Sequence, residues 1–234
     1  MNINFFKATI VTLALTVSSF ANSSLITHEF NDGDSLAAWS VDRTAPDGFE
    51  IINNELVMSL TGPVHPTNTF YDTHGMNLDI GQSNYVSIDV FIDKDWINAE
   101  RYGGVWAESF NAADVTTGWP IVEFSGISGV QAWDNGGWQA FTTNFITGEF
   151  NNFKLQVTSN GVEYSLNDTV FYTDTVVDTQ YFGKVFLNAK YEGNDFSVRY
   201  DNLVYGTVNV PEPSTFAIFA LGILGLASRK FNKQ

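Results

Sequence analysis

The sequence predicts an all-β protein: a single two-sheet antiparallel jelly-roll sandwich, flanked by an N-terminal signal helix and a C-terminal hydrophobic helix. Three observations predict it. Short segments alternate apolar and polar residues with a period of two. Turn residues recur between them about every 8–12 residues. No amphipathic helix of useful length separates the two ends.

The N-terminus comes first. Lys7 precedes an apolar run from Ala8 to Val17, and Ser19-Phe20-Ala21 follows. A short basic region, an apolar core and a small-x-small site make residues 1–21 a secretory signal peptide cut after Ala21. Its partners are then the Sec translocon and signal peptidase. The alternative is a buried N-terminal helix.

The middle, residues 22–209, carries the strands. In Tyr85–Ile92, the residues Val86, Ile88, Val90 and Ile92 fall on one face. Phe153–Val157 and Val162–Leu166 alternate in the same way, and Ser159-Asn160-Gly161 between them is a hairpin turn, because Asn and Gly tolerate positive φ. Asn167-Asp168 turns the chain into Thr169–Tyr172, and Lys184–Ala189 and Phe196–Tyr205 read as further strands. Residues 94–149 alternate least and hold most of the tryptophans, so long loops are expected there.

The C-terminal 25 residues form a separate unit. Pro211 and Pro213 fix φ and lack an N–H, which makes 210–213 stiff and extended. Ser214 or Thr215 can cap a helix over 214–228 that is apolar but short for a membrane span. Arg229 and Lys230 stop it and orient it with the C-terminus cytoplasmic. Val210-Pro-Glu-Pro-Ser-Thr215, a short Leu/Gly/Ala-rich helix and a basic tail together resemble the PEP-CTERM sorting signal of Gram-negative bacteria. The resemblance implies recognition by an exosortase at Pro211-Glu212-Pro213, transient association with the inner membrane, and release to the cell surface or extracellular matrix. The alternative is an ordinary membrane anchor, which needs no Pro-Glu-Pro.

Composition narrows the possibilities. The chain has no cysteine, which excludes a disulfide framework, a Cys-ligated metal and a thiol nucleophile. All 26 acids lie between Glu29 and Glu212, with only seven of the 11 bases, so the exported part is near −19. That charge argues against nucleic acid and anionic membrane surfaces as partners.

Residues 30–60 and the last strand resemble concanavalin A-like and carbohydrate-binding jelly rolls. The resemblance rests on an acidic opening strand (His28-Glu29-Phe30-Asn31-Asp32-Gly33), Trp39-Ser40-Val41, Asn53–Met58, and a closing strand Val198–Val204. It implies that the first and last strands pair and that Glu29 and Asp201 share a structural Ca²⁺, which Asp32 and Asp34 could supplement. The alternative places both acids in solvent.

Two other kinds of site are open to this sequence. Flat aromatic rings stack on sugars, and amides and acids bind hydroxyls. Trp133-Asp134-Asn135-Gly136-Gly137-Trp138 sets two rings around a polar loop, so Trp133, Asp134, Asn135 and Trp138 are candidate glycan-binding residues, with an exopolysaccharide as the partner. Trp106 and Trp119 read as core. Glycoside hydrolysis needs two carboxylates across one bond. Asp93 with Asp95, and Glu108 with Glu123, are the available pairs. The Glu-x-Asp-x-x-Glu strand of the sandwich glucanases is absent; Ile121–Ser125 holds one acid, and scattered acids read as solvated surface. His28, His65 and His74 lack metal-ligand spacing and read as surface or loop residues.

The sequence therefore reads as an exported, non-catalytic glycan- or matrix-binding module and not as an enzyme. The second reading is a structural acidic surface protein without a specific ligand, and the third a glycoside hydrolase-like enzyme.

Overall fold

A computed structural model describes residues 24–61, 73–134 and 136–208. The signal peptide with Ala21, the sorting segment with Pro211, Glu212, Pro213, Arg229 and Lys230, and the loop residue His65 lie outside the described residues, as does Asn135.

From the start of the described chain, β1 (Ser24–His28) and β2 (Ser40–Arg43) precede the hairpin of β3 (Gly48–Ile52) and β4 (Glu55–Leu60). Strands β5 (Thr73–Ser83) and β6 (Tyr85–Ile92) follow. A 3₁₀ turn at Lys94–Trp96 then leads to β7 (Tyr102–Phe110), β8 (Thr116–Gly118), β9 (Ile121–Ser125), β10 (Gly129–Asp134) and β11 (Gly137–Thr142). The chain closes with β12 (Glu149–Thr158), β13 (Gly161–Leu166), β14 (Thr169–Asp174), β15 (Tyr181–Lys190) and β16 (Phe196–Thr207).

These strands form two antiparallel sheets of eight strands each, so the all-β jelly-roll sandwich expected from the sequence is the observed fold. The first sheet runs β14-β13-β12-β6-β16-β4-β3, with β1 also on β16. The second runs β11-β10-β9-β7-β15-β5-β2, with β8 also on β7. The first and last strands pair antiparallel, Ser24 to Thr207 through His28 to Leu203, as the jelly-roll resemblance implies.

Turn chemistry sets the register. Asn53-Asn54 and Asn167-Asp168 hold φ of 55° and 59°, and of 48° and 61°. Two consecutive positive φ values make the two-residue turn whose twist matches that of its flanking strands, and Asn and Asp adopt them most readily. Gly161 (φ 116°) closes the third hairpin opposite Thr158.

One apolar layer joins the sheets. Val86, Ile88, Val90 and Ile92 of β6 are fully buried, as the alternation predicts, against Phe153 and Leu155 of β12 and Val105 and Phe124 of the second sheet. Trp96 is part of this layer, 5.7 Å from Phe124 and edge-on to Phe196. Asn84 fastens the end of the domain. Its side-chain amide donates to the Val208 carbonyl and accepts from the Val208 N–H, both at 2.8 Å.

Four expectations are corrected. Residues 94–149 are not loops, since β7 to β11 lie there. Their alternation is hidden because β9 and much of β10 are buried on both faces, so apolar residues occupy both sets of positions. The opening strand ends at His28, and the acidic stretch after it turns through Phe30 (φ 49°). His74 lies within β5, buried, with Nδ1 3.2 Å from the Ala45 carbonyl, and His28 lies in β1 stacked on Tyr205. Trp119 is not core but 51 % exposed, in the short link between β8 and β9.

Removing buried methylenes from a close-packed layer costs transfer and cavity energy. Ile88→Ala is expected to destabilise the protein by about 2–5 kcal/mol in urea denaturation. Trp119→Ala is expected to change stability by no more than about 0.5 kcal/mol.

Candidate active site

The second sheet has an inner face on the shared core and an outer face that holds a cleft of about 300 Å³. Register decides which side chains reach it. Glu123 of β9 lies opposite Gly104 of β7 and Gln131 of β10, and Ile121 lies opposite Trp106 and Trp133. Alternation sends Val122 and Phe124 to the core and Ile121 and Glu123 to the cleft.

Trp106, Ile121 and Phe186 form a small buried apolar cluster against which Trp133 packs. Trp106 is therefore buried, as expected, but on the cleft side instead of in the core between the sheets. A bulge between Ala132 and Trp133 moves β11 by one residue, so that Trp138 lies opposite Trp133. Their rings meet edge to face at 5.4 Å and 76°. Trp138 is 37 % exposed, so one ring of the pair stands at the mouth of the cleft. Tyr102 and Lys190 form another part of the wall.

Glu123 lies in this lining, 6 % exposed. Gln131 Nε2 donates to its Oε1 at 2.9 Å, and the Trp106 side chain lies beside the same carboxyl group and favours its charged form. Gly104 makes the burial possible, because a Cβ there would collide with the Val122 carbonyl and with Glu123 itself. Burial pushes the Glu123 pKa from about 4.5 up to about 7, against the lowering pull of Gln131, Trp106 and the Lys190 charge. Near neutral pH the group is divided between acid and carboxylate. Tyr102 is also raised, first by burial and then by the charges of Glu192, Glu100 and Glu123.

The glycan-binding residues expected from the sequence divide. Trp133 and Trp138 both line the cleft. Asp134 does not join them; its Oδ2 accepts the Tyr172 hydroxyl at 3.1 Å, across to the first sheet. Its pKa is raised by burial and by the neighbouring Asp174. The sequence also treated Glu123 as one solvated acid among many, whereas it is buried. The signal that could have found it is a lone acid inside an otherwise uncharged strand, Ile121–Ser125. Its expected partner Glu108 lies four residues along β7 from Gly104, roughly 13 Å away at strand rise. Glu108 pairs with Lys184 at 3.6 Å.

On the far side of the sandwich, Asp201 lies opposite Asp89. Its pKa is raised by burial and then by the charges of Asp89, Glu55 and Glu29, which brings Glu29 and Asp201 into one acidic neighbourhood. Other bonds already engage these groups. Arg199 pairs with Glu55 at 2.8 Å, and Asn152 and Asn202 donate to Asp89. Asp32 and Asp34 accept the backbone N–H groups of Asn54 and Asn31. Among the described residues no group of three or more His, Cys, Asp or Glu is placed to hold a metal ion.

Comparison with known proteins bears on both parts of the chain. A family model described as the PEP-CTERM protein-sorting motif matches residues 209–230. The chain carries a PEP-CTERM sorting motif. The motif implies exosortase processing, export and sorting to the cell surface. Among the described residues no helix is long and apolar enough to cross a membrane, and the apolar run 214–228 lies outside them. No curated protein matches the sequence.

The β-glucanase of Bacillus licheniformis superposes with a TM-score of 0.55 at 14 % identity, covering 80 % of this chain and 99 % of its own. The laminarinase catalytic domain from Thermotoga maritima gives 0.57 at 13 %, covering 80 % and 100 %. The catalytic domain of an endo-1,3-β-glucanase from Thermotoga petrophila gives 0.54 at 14 %, covering 81 % and 100 %. At this identity the likeness is one of fold.

The expectation that the chain is not an enzyme does not stand against these neighbours. Its fold is the one used by structures named as glucanases. The three-acid motif is absent from β9, but burial raises the pKa of the single acid that is there.

Glu123 also makes stability depend on pH. Between about pH 4.5 and pH 7 the folded protein holds a proton there that the unfolded chain has released. This contribution is complete below about pH 4.5 and is lost as pH rises through 7, amounting to roughly 3 kcal/mol. Urea denaturation from pH 5 to pH 8 should show wild type losing stability relative to Glu123→Gln, which does not titrate. Parallel pH profiles for the two proteins would exclude the raised pKa.

Proposed function

We propose that this is an exported glycan-active enzyme whose cleft on the second sheet holds a polysaccharide chain, with Glu123 donating a proton to the glycosidic oxygen. The observation that carries the proposal is a carboxyl group buried between Gln131 and Trp106 with its pKa pushed up to about 7. A general acid works best with a pKa near the working pH. The tryptophan pair at 133 and 138 supplies flat apolar faces for sugar rings, and Gln131 and Tyr102 supply polar contacts for hydroxyls.

The chemistry follows from that placement. The proton passes from the Glu123 carboxyl to the bridging oxygen, the bond from the anomeric carbon to that oxygen breaks, and the leaving sugar departs neutral. Among the described residues that line the cleft Glu123 is the only carboxyl group, so it fills the roles of both acids: water adds at the anomeric carbon and its proton returns to the Glu123 carboxylate. The glucanase fold of the neighbours supports this class of reaction, and the named β-glucans are the first substrates to test.

The route to the site of action belongs to the same proposal. The chain enters the Sec translocon, loses its leader after Ala21, and is held briefly at the inner membrane by 214–228 above Arg229 and Lys230. Exosortase cuts at Pro211-Glu212-Pro213 and releases the sandwich to the cell surface or extracellular matrix, where exopolysaccharide is the substrate.

Release of reducing ends from a panel of polysaccharides tests the catalytic claim. Glu123→Gln is expected to lower kcat about 10²–10⁴-fold while keeping the fold. Trp138→Ala is expected to weaken binding about tenfold through lost ring stacking. No binding and no cleavage across the panel would overturn the proposal.

A further inference from the structure

Two basic side chains stand at the cleft of a protein that has few. Of the seven bases between residues 24 and 208, Lys190 lines the cleft and Arg43 packs against two of its lining residues. Lys190 is part of the lining itself. The Arg43 guanidinium lies 5.1 Å from the centroid of the Trp106 ring, and its Nη1 donates to Thr73 Oγ1 at 3.1 Å. Trp106 and Thr73 both line the cleft.

Arg43 reaches this position by breaking the rule of its own strand. In β2, Asp42 points to the cleft face, where its Oδ2 accepts the Asn188 amide at 2.9 Å. Alternation would send the next side chain to the opposite face. Arg43 instead holds φ at 58°, a conformation that costs free energy for a residue with a Cβ. That turn returns its side chain to the same side as Asp42, where Nη2 meets Asp42 Oδ2 at 3.0 Å. Strained backbone of this kind clusters at ligand clamps.

Each cation is paired with an anion. Asp42 fixes Arg43 and is itself anchored by Asn188, and Glu192 pairs with Lys190. These pairs keep two long side chains in one geometry beside the aromatic floor. A guanidinium and an ammonium held beside a sugar-stacking surface can meet the charged groups of an anionic sugar as well as hydroxyls.

We infer that the cleft selects an anionic polysaccharide, whose carboxylate or sulfate groups are met by Arg43 and Lys190 while its rings stack on Trp133 and Trp138. This rests on the reading of the cleft as a glycan site. The shared chemistry is a singly charged oxyanion on the sugar. An anionic chain would otherwise be repelled by the strongly acidic domain, so local cations are what admit it.

The test is binding by the exported protein to polygalacturonate, to a sulfated polysaccharide and to neutral laminarin, each at low and high salt. The expected result is at least about tenfold tighter binding to one anionic polymer than to laminarin, with the difference shrinking at high salt. The better polymer tells carboxylate from sulfate. Arg43→Gln and Lys190→Gln are each expected to reduce the preference several-fold, with laminarin binding as the internal reference. The two variants are independent, so one that fails to fold leaves the other to decide. Equal or better binding to laminarin would overturn the inference and leave the glycan cleft standing. A preference unchanged in the folded variants would overturn the assignment to these two residues. Binding to none of the three polymers would remove the inference and the glycan reading together.

Discussion

The Glu123 carboxyl leaves water because β9 is covered twice. One face of the strand carries Val122 and Phe124 into the core between the sheets, and the other carries Ile121 and Glu123 under Trp106, Trp133 and Gln131. An isolated ionised carboxylate in such a place is costly, and shifting its pKa relieves the cost. Gln131 donates to the group, and the desolvation still outweighs that bond and the pull of its other neighbours. The acid at the cleft thus follows from the packing of the sheet, with the absent side chain of Gly104 as the local condition.

The same packing places the rings. The bulge in the β10–β11 hairpin brings Trp138 opposite Trp133, where without it Gln139 would stand. Ile121 and Phe186 back the Trp106 ring, which in turn carries the Arg43 guanidinium. A sheet edge with a turned-in arginine, a buried floor and a paired-tryptophan rim form one continuous surface across β2, β5, β15, β7, β9, β10 and β11. The first sheet meanwhile serves stability; its outer face engages acids with Arg199, Asn152 and Asn202.

Much of the fold was legible in the sequence and much of the site was not, for one physical reason. Strands buried on one face, such as β6, β12 and β13, alternate visibly, and Asn160-Gly161 and Asn167-Asp168 mark the turns after β12 and β13. Strands buried on both faces lose that alternation, so β7, β9 and β10, which build the cleft, read as loop. Trp133 and Trp138 could be picked out because they flank a turn. The roles of Trp106 and Glu123 are harder to read, because they depend on neighbours three strands wide. Asp134 adjoined Trp133 in sequence and was grouped with it, yet alternation turns it toward Tyr172. Arg43 carried no signal at all, since a positive φ at an arginine cannot be read from its neighbours. The sorting motif was fully legible, because its recognition depends on local sequence and not on packing.

The central claim is that Glu123 is a proton donor at neutral pH. A ¹³C NMR titration of the Glu123 side-chain carboxyl, assigned by its disappearance in Glu123→Gln, measures this directly. The account predicts a midpoint near the value of about 7 set by burial. A midpoint in the ordinary range near 4.5 would contradict it, since the group would then be ionised throughout the working range and could not supply the proton.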